Sequence, residues 1–494
     1  MSYDVIVVGG GNAALCAALS ASETVTKVLV LERAPEEESG GNSRFTAGLF
    51  RLVYTGPEDL KTLIPDLSAA EIANTDFGTY TEEQFLDDMA RLTEYRCDPD
   101  LTEILVKQSL ATAQWMRKRG VRFTAAWGRQ AFKIGGKFKF WGGLTVEAVG
   151  GGPGLVESET QLAKKAGIEI WYGARAVSLL ADDDGVHGVV VKHQGKTKEL
   201  KSRAVVLAAG GFQANTEWRT RYLGPGWELA KVRGTRFNTG DAIRMALDIG
   251  ATAHGNWSGC HAVAWDRNAP ETGDLAVGDN FQKHSYPWGV YINADGQRFV
   301  DEGADFRNYT YAKYGRVILQ QPRQFAWQIF DAKVKQQLRD EYRIKQVTKI
   351  SANTLEELVA KMDDTDQKAA LDTLKAYNAA VQTHIPFNPN VKDGRCTKNL
   401  SVNKSNWANT LDTPPFEAYA VTCGITFSFG GLKINTEAQV INSDGEPIKG
   451  LYAAGELVGG IFWFNYPGGT GLTNGSVFGK IAGDSAAKSA ARSA

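Results

Sequence analysis

A chain of 494 residues, of which 43% are hydrophobic and 22% charged, has the composition of a globular protein with two or three domains. The formal net charge of −1 gives no indication of nucleic acid or an anionic membrane surface as a partner. The five cysteines, an odd number without C-x-x-C spacing, indicate neither a disulfide framework nor a zinc site, and we expect no metal.

The first 32 residues have the pattern of a βαβ dinucleotide-binding unit. A short apolar strand over 4–8 leads into GGGNAA at 9–14, which reads as G-x-G-x-x-A at the start of a helix over 13–22. A second strand over 27–31 ends at Glu32. Glycines let the backbone approach a pyrophosphate at the helix N-terminus, and the acid accepts hydrogen bonds from ribose hydroxyls. The sequence therefore predicts a dinucleotide cofactor.

Further along the chain, buried-type strands that end in glycine recur on both sides of a segment rich in Trp, Tyr, His and charge. That segment predicts an inserted domain, with a strand–turn–strand over 290–300. We expect a first part of the cofactor-binding domain at 1–230, an inserted domain at 231–390 and a second part at 391–494. The other predicted elements are helices over 82–120, 155–166, 354–381 and 473–491, strands over 168–171, 204–208 and 450–456, and a β-meander over 177–192.

Nine short segments are spread in order over almost the whole chain: VVGGGNAALCAA, LERA, GGNSRFTAG, GGGPGLVE, AVVLAAGGF, NTGDAIRMALDIGA, INADGQRFVDE, FGGLKI and GLYAAGELVGG. Together they resemble the fumarate reductase/succinate dehydrogenase flavoprotein family. The resemblance implies an α/β fold, with a Rossmann-like FAD-binding domain of the glutathione reductase type and an inserted α+β capping domain. Several relatives attach FAD through a His in the loop that matches GGNSRFTAG. This loop has no His, so we expect non-covalent FAD.

The resemblance also assigns residues to the cofactor. It implies that Glu32 holds the adenosine ribose, that Glu456 binds the ribityl chain, and that the backbone of Ala176 or Val177 contacts adenine. Gly9, Gly11 and Ala14 match the pyrophosphate positions, Asn42, Ser43 and Thr46 lie near the isoalloxazine, and Gly471 and Leu472 lie near its pyrimidine end. The other residues expected to line the cofactor are Asn12, Ala13, Arg33, Gly41, Ala47, Gly48, Ala209, Gly210, Gly211, Asn238, Asp241 and Gly455.

Four further stretches, CHAVAWD (260–266), DFRNYTYAKYGR (305–316), WQIFD (327–331) and FNYPGGTGLTNGSVFG (464–479), resemble tricarballylate dehydrogenases within this family. The resemblance places His261 at the substrate on the capping side. It places Arg307 and Glu302 where relatives hold a substrate-facing Arg and an acid. The alternative interpretation of His261 is a buried structural His, and that of Arg307 is an ion pair at a domain interface.

At three positions the sequence departs from the fumarate reductases. Tyr466 stands where the family has the Arg that clamps a substrate carboxylate, and Lys335 aligns with its proton-transferring Arg. Thr426 or Phe427 falls where the family has a His. A Tyr in N-Y-P-G is similar to the ketone-holding Tyr of 3-ketosteroid Δ1-dehydrogenases, and aromatic packing is its alternative role. The expected catalytic residues are thus Tyr466, His261, Arg307, Lys335 and Glu302, with Tyr286, Tyr309 and Tyr311 as candidates for the base or its relay.

Desaturation of a C–C bond needs a hydride acceptor, a base and a group that stabilises charge on a neighbouring carbonyl or carboxylate. We predict an FAD-dependent dehydrogenase of a CH–CH bond next to a carboxylate or ketone in a small molecule, similar to tricarballylate dehydrogenase. The alternatives are α,β-desaturation of a ketone or cyclic oxo-acid, fumarate-type reduction, a non-catalytic flavin-binding module and a nicotinamide-only dehydrogenase.

The sequence has no C-x-x-C-H haem motif and no iron–sulfur spacing, so electrons are expected to leave to O₂, a quinone or a separate acceptor. It has no run of 18 or more apolar residues, so we expect no transmembrane segment. Because the first strand begins at residue 4, we expect no leader peptide and a cytoplasmic location.

Overall fold

The glycine-rich turn at the start of the chain follows a strand in the parallel part of a mixed sheet. In the computed structural model, which describes residues 2–140 and 142–492, Ser2–Val8 pairs in parallel with Val28–Leu31 and with Lys196–Leu207. Residues 5–8 of this strand are all buried, an apolar run typical of a parallel strand covered on both faces. The sheet continues through Glu169–Trp171 on one side and through Gly185–His193, Arg175–Asp182 and Pro447–Ala453 on the other.

The chain divides into a main unit and an inserted unit. The main unit comprises Met1–Gly224, Gly234–Cys260 and Phe427–Ala494, and the inserted unit comprises Pro225–Arg233 and His261–Thr426. The inserted unit thus extends beyond the 231–390 expected from the sequence. The reason is the long strand Phe416–Leu432, because its residues 417–421 pair with Ala326–Phe330 and keep the preceding segment in this unit.

In the main unit, the dinucleotide helix Asn12–Ala21 packs against the C-terminal helix Thr470–Arg492. The approach is close: a Cβ added at Gly483 would lie 2.1 Å from the carbonyl oxygen of Ala17. The predicted helix over 82–120 is two helices, because Asp98 caps a new one at Pro99–Arg119 by accepting from the N–H groups of residues 100 and 101. The parallel sheet and these helices confirm the predicted Rossmann-like α/β fold.

The inserted unit is built on a mixed sheet in which Val290–Asn293 pairs with Ala326–Phe330 and the latter with Phe416–Leu432. Of the strand–turn–strand predicted over 290–300, the first strand forms and the second does not. Asn293 Oδ1 accepts hydrogen bonds from the N–H groups of residues 295 and 297, and no second strand follows this turn in the described chain. The first strand pairs with Ala326–Phe330 instead.

Helices complete the inserted unit, which is an α+β domain as predicted. The helix expected over 354–381 is divided into Leu355–Ala360 and Gln367–Ala380, because Asp366 caps the second by accepting from the N–H of Ala369. Their buried residues Leu358 and Leu374 belong to the same hydrophobic core as the sheet residue Trp327.

The remaining elements have the following bounds. The other main-unit helices are Pro57–Lys61, Ala69–Ala73, Glu82–Leu92, Trp127–Gln130, Gly151–Lys165, Thr216–Trp218 and Asp241–Leu247, and Tyr311–Leu319 lies in the inserted unit. The other strands are Leu49–Phe50, Thr75–Asp76, Phe123–Ala125, Ala131–Ile134, Lys137–Phe140, Val146–Ala148, Lys231–Val232, Ala253–Asp266, Lys349–Ala352 and Gln439–Ile441. None of the helices in the described part of the chain has the length and apolar character needed to cross a membrane.

Candidate functional site

The turn between the first strand and the first helix is shaped to receive a pyrophosphate. Gly9 has φ of 120°, and a Cβ there would lie 2.3 Å from the carbonyl oxygen of Ala208, so only glycine fits. Gly11 caps the helix Asn12–Ala21, whose first turn has no acidic residue. The N–H groups of a first turn have no acceptor within their own helix, and together with the helix dipole they favour an anion.

Asn12 connects three segments that the sequence assigns to the cofactor. Its backbone N–H donates to Ser43 Oγ at 3.1 Å, and its Nδ2 donates to the carbonyl of Leu472 at 3.0 Å. Its Oδ1 accepts from Ser476 Oγ at 3.0 Å. The helix start, the loop at 41–48 and the C-terminal helix are therefore held together by one side chain and its own backbone.

Glu32 lies at the end of the second strand, as expected, and is 6% exposed. Its Oε1 accepts from the backbone N–H of Ala34 at 2.7 Å. Burial raises the pKa of this carboxyl above its ordinary value. A carboxylate accepts hydrogen bonds only, so the hydroxyl groups of a ribose are suitable partners for its oxygens.

Beside Glu32, an ion-pair cluster joins the second strand to the strand expected to contact adenine. The carboxylate of Asp241 lies 3.1 Å from Arg33 Nη1 and 2.8 Å from Arg175 Nε. The next residues along the latter strand are Ala176, which is buried, and Val177, which is half-buried. The cluster thus orients the predicted adenine-binding backbone relative to the predicted ribose site.

Glu456 is the acid assigned to the ribityl chain, and it is half-buried at the end of the strand Pro447–Ala453. Its carboxylate accepts from the backbone N–H of Ser428 at 3.1 Å and from the amides of Asn238 and Gln213 at 3.3 and 3.4 Å. Burial raises its pKa to about 7. Near neutral pH the Glu456 carboxyl group is therefore present both in its ionised form, which only accepts hydrogen bonds, and in its protonated form, which also donates one.

The loop that carries the predicted isoalloxazine contacts is a 3₁₀ helix, Gly41–Phe45. Asn42 Oδ1 accepts from the N–H of Thr235 at 2.9 Å. Thr46 Oγ1 donates to the carbonyl of Ser43 at 2.9 Å and accepts from the N–H of Gly48 at 3.2 Å. These bonds fix the conformation of the loop.

The other residues expected to line the cofactor lie in the same turns. Gly210 approaches Asn238 so closely that an added Cβ would be 2.4 Å from its Nδ2, and a Cβ added at Gly455 would be 2.8 Å from that of Ala13. The helix start can bind an anion, Glu32 can accept from a ribose, and Glu456 with its neighbouring amides can bind a polyol chain. Together these groups form a set of hydrogen-bond donors and acceptors that fits FAD. The remaining members of these turns are Ala14, Ala47, Ala209, Gly211 and Gly471.

Tyr466 lies in an aromatic cluster of the main unit and is 5% exposed. Its ring packs edge-on against Phe427 and Phe462, with centroids 5.2 and 5.3 Å away. Phe427 occupies one of the two positions that the sequence matches to a family His. Tyr466 and one of the two residues matched to the family His therefore lie in the same aromatic cluster.

In the inserted unit, His261 and His284 both pack edge-on against the ring of Tyr311. The centroid of the Tyr311 ring is 5.0 Å from that of His261 and 4.9 Å from that of His284. Both His side chains are buried. Burial and nearby arginines, Arg233 in both cases, lower both imidazole pKa values well below the ordinary value, so each ring is neutral at pH 7. His284 has no motif of its own, and sequence reasoning missed it.

Two arginines lie close to these imidazoles. The backbone N–H of Arg339 donates to Oγ of Ser285, the residue after His284, at 3.2 Å, and its Nε lies 3.2 Å from Glu341. Burial and the charge of Arg339 lower the pKa of Arg307 to about 9. Lys335, which the sequence aligns with the proton-transferring Arg, is exposed, and the structure brings Arg339 to the cluster instead.

Arg233 is a third arginine near these imidazoles; it is buried, and sequence reasoning missed it. Its Nη1 donates to Thr426 Oγ1 at 3.1 Å, and its Nη2 lies 3.6 Å from Asp279. Thr426 is the other position matched to a family His. Arg233 lies 193 residues from Thr426, so no local spacing could have connected the two.

Glu302 occupies a different environment from the one expected. It is fully buried, its Oε2 lies 2.5 Å from Arg298 Nη2, and its Oε1 accepts from the N–H of Tyr291 at 2.8 Å. Among the described residues this is the geometry of a structural ion pair. The Tyr286 hydroxyl is hydrogen-bonded as well, to Thr310 Oγ1 at 2.6 Å. Tyr309 lies in the short 3₁₀ helix Arg307–Tyr309.

Comparison with known proteins identifies the family to which the chain belongs. The family described as FAD binding domain matches residues 4–472. The chain is 30% identical over 493 residues to a probable fumarate reductase, Ifc3, of Shewanella frigidimarina, across 98% of this chain and 75% of that protein.

Two solved structures have the same fold. The open conformation of a flavocytochrome c3 fumarate reductase matches 99% of this chain and 78% of its own, with 28% identity and a TM-score of 0.73. A 3-ketosteroid Δ1-dehydrogenase from Sterolibacterium denitrificans, in complex with 1,4-androstadiene-3,17-dione, matches 99% of this chain and all of its own, with 21% identity and a TM-score of 0.75. The chain therefore belongs to the FAD binding domain family of flavoproteins, and it is an FAD-dependent oxidoreductase that acts on CH–CH groups.

Proposed function

We propose that this protein dehydrogenates a CH–CH bond that adjoins a carboxylate in a small polycarboxylic acid of the tricarballylate type. The observation that carries the proposal is the cluster of the inserted unit, in which Arg307, Arg339 and Arg233 lie near the buried His261 and His284. Guanidinium and imidazole N–H groups in a site with little water bind carboxylates through charge-assisted hydrogen bonds. A neutral ketone would gain much less from such a cluster.

Each side chain has a distinct task in this proposal. FAD supplies the hydride acceptor when it is bound. Arg307 and His261 hold the substrate carboxylate next to the carbon that loses a proton, and the positive charge of Arg307 stabilises the enolate-like charge that develops on it.

Among the three tyrosines, Tyr311 is the one we assign as the base. Its ring contacts both imidazoles, and Arg307 lies within electrostatic reach of it. Burial raises the pKa of Tyr286, which disfavours its phenolate and leaves it the weaker candidate.

The test is the colour of the bound flavin without oxygen. Oxidised flavin is yellow, and dehydrogenation of a substrate bleaches it. Tricarballylate and succinate are mixed anaerobically with the holoenzyme, and the unsaturated acids are mixed with enzyme reduced by dithionite. Bleaching by tricarballylate supports the proposal and its direction. Reoxidation by the unsaturated acid without bleaching by the saturated one would instead assign a fumarate-type reductase.

A specific observation favours a second candidate, α,β-desaturation of a ketone or cyclic oxo-acid. Tyr466, a neutral donor, stands in a cluster of phenylalanines where the fumarate reductases have an Arg. A phenol suits a ketone oxygen at least as well as a carboxylate. Cyclohexanone carboxylates and ketosteroids in the same bleaching assay test this candidate, since only it predicts bleaching by an uncharged ketone.

We also propose that FAD is held non-covalently, because the loop at 40–48 has no His to form a covalent link. Acid precipitation should then release all of the flavin into the supernatant, whereas yellow colour in the pellet would contradict this. The proposed location is the cytoplasm, and the proposed electron acceptor is a separate molecule.

A further inference from the structure

We propose that Glu159 is a positioning residue for the cofactor. Its protonated carboxyl group donates to the sulfur of Cys16, and the Cys16 thiol donates to Oδ1 of Asn12 at the start of the dinucleotide helix. These three side chains form what we call the Glu159 relay. The relay concerns the binding of FAD and does not depend on the identity of the substrate.

The first argument is the number of hydrogens at Cys16. Its Sγ lies 3.5 Å from Oε1 of Glu159 and 3.6 Å from Oδ1 of Asn12, and all three residues are buried. Burial raises the pKa of Cys16 well above its ordinary value, so the thiol keeps its hydrogen. A thiol has one hydrogen and the amide oxygen has none, so the bond to Asn12 uses the hydrogen of the thiol. The hydrogen of the bond between Cys16 and Glu159 must then come from the carboxyl group.

The second argument is the lack of a counter-ion. Glu159 is fully buried, its Oε2 has no hydrogen-bond partner among the described residues, and no basic side chain of that part of the chain pairs with it. A buried carboxylate without a cation is strongly unfavourable. Burial accordingly raises the pKa of Glu159 well above its ordinary value, which favours the protonated form.

The elements packed against the helix Gly151–Lys165 do not supply the missing charge. Arg44, on the 3₁₀ helix Gly41–Phe45, donates instead to the backbone carbonyls of Glu37 and Ser39, at 2.9 and 3.2 Å. The other ionisable side chains of these elements carry no positive charge: Cys16, Glu147 and Glu169. The thiol is therefore the group that Glu159 bonds to, and a neutral acid suits it.

The third argument is what the relay connects. Asn12 is bonded to Ser43 and to the C-terminal helix. The helix that carries Glu159 begins against the same loop, because the N–H of Gly152 donates to the carbonyl of Thr46 at 3.0 Å. A Cβ added at Gly152 would lie 2.1 Å from the carbonyl oxygen of Ser43. The relay thus gives this helix a second attachment, at Asn12, and fixes the loop relative to the helix start that is expected to hold the pyrophosphate.

The test measures how readily the holoenzyme releases FAD. Wild type and variants are diluted in series, and the FAD that passes an ultrafiltration membrane is measured by its absorbance, which gives the dissociation constant. Cys16→Ala removes the thiol, and Cys16→Ser replaces it by a hydroxyl that both accepts and donates. Glu159→Gln keeps the shape of the protonated acid and an N–H donor. Glu157→Gln, at an exposed position of the same helix, is the matched control.

The relay predicts that Cys16→Ala raises the dissociation constant of FAD by roughly threefold to tenfold and that Cys16→Ser restores most of the affinity. A cysteine that only packs predicts the opposite order, because an unpaired hydroxyl is less favourable than a methyl group in an apolar site. Both Glu159→Gln and Glu157→Gln should stay within about twofold of the wild type. Weaker FAD binding by Cys16→Ser than by Cys16→Ala would overturn the relay.

Infrared spectra of the holoenzyme test the proton on Glu159 independently of FAD affinity. The difference spectrum between wild type and Glu159→Gln at pH 7 should contain the carbonyl band of a protonated carboxylic acid. The S–H band that is lost in Cys16→Ala should have the lowered frequency of a thiol that donates. The bands of an ionised carboxylate in the first spectrum would overturn the proposal, also if the cysteine variants do not fold or if FAD is not released from any of the proteins.

Discussion

The backbone N–H of Arg339 donates to Oγ of Ser285 at 3.2 Å, which anchors this arginine beside His284. The sequence matched Lys335, not Arg339, to the family's proton-transferring Arg, yet Lys335 is exposed. Under the proposed function, we expect Arg339→Gln to slow flavin reduction by tricarballylate by roughly tenfold or more, because the arginine cluster loses one cation. Stopped-flow absorbance measures the rate.

Lys335→Gln is the matched control for that experiment. It removes one positive charge only four residues away, and its rate should stay within about twofold of the wild type, as for a surface charge. A large loss in Lys335→Gln together with a normal rate in Arg339→Gln would restore the alignment-based assignment.

Tyr466→Phe distinguishes a functional phenol from an aromatic ring that only packs. The ring contacts with Phe427 and Phe462 remain in this variant, so FAD content and thermal stability should be unchanged. If the hydroxyl polarises a substrate carbonyl, flavin reduction should slow by about tenfold or more. Normal turnover in Tyr466→Phe would leave only the packing role.

Glu456 makes a prediction about pH. Its pKa in the folded protein is about 7, above the ordinary 4.5, so the folded state binds a proton more tightly than the unfolded one. Protonated Glu456 therefore contributes about 1–3 kcal/mol to the free energy of unfolding below pH 4.5. This contribution is lost as the pH rises towards 7. The melting temperature of FAD-free protein should therefore fall more steeply over this range than that of Glu456→Gln. Parallel curves for the two proteins would contradict the elevated pKa, and Glu437→Gln, at an exposed position, serves as control.

The buried pair of Arg298 and Glu302 makes a prediction about stability. Removing one partner of a buried ion pair leaves the other charge uncompensated, at a cost of about 3–5 kcal/mol. We expect Glu302→Gln to lower the melting temperature by several degrees, as measured by circular dichroism. Asp372→Asn breaks an exposed pair with the same i,i+4 spacing and should change it little. If Glu302→Gln keeps the wild-type melting temperature but loses activity, Glu302 is a catalytic residue and not a structural one.

The fold and the FAD cofactor could be predicted from sequence because their signals are local. The glycine turn, the helix start and Glu32 lie within one short segment whose spacing reflects a single βαβ unit. The same holds for the turn at Glu456. Such patterns depend on backbone geometry that neighbouring residues dictate.

The proposed substrate cluster could be predicted only in part because it is assembled from distant segments. His261 and Arg307 lie in recognisable stretches, whereas Arg233 and His284 have no local pattern, and Arg339 was missed in favour of Lys335. The error at Lys335 arises because the strand Ala326–Phe330 ends before it and a short 3₁₀ helix, Ala332–Val334, turns this side chain to the surface. Where a side chain points after an irregular turn depends on tertiary packing, which spacing does not encode.

The central claim is that a polycarboxylic acid is dehydrogenated at the bound flavin, and anaerobic bleaching tests it most directly. Purified yellow holoenzyme is mixed under nitrogen with tricarballylate, succinate, a cyclohexanone carboxylate and a ketosteroid, and the flavin absorbance is followed. Tricarballylate should bleach the flavin fastest, and Arg339→Gln should slow that reaction. Bleaching by the ketosteroid alone, with none by the carboxylic acids, would contradict the claim and assign the enzyme to ketone desaturation.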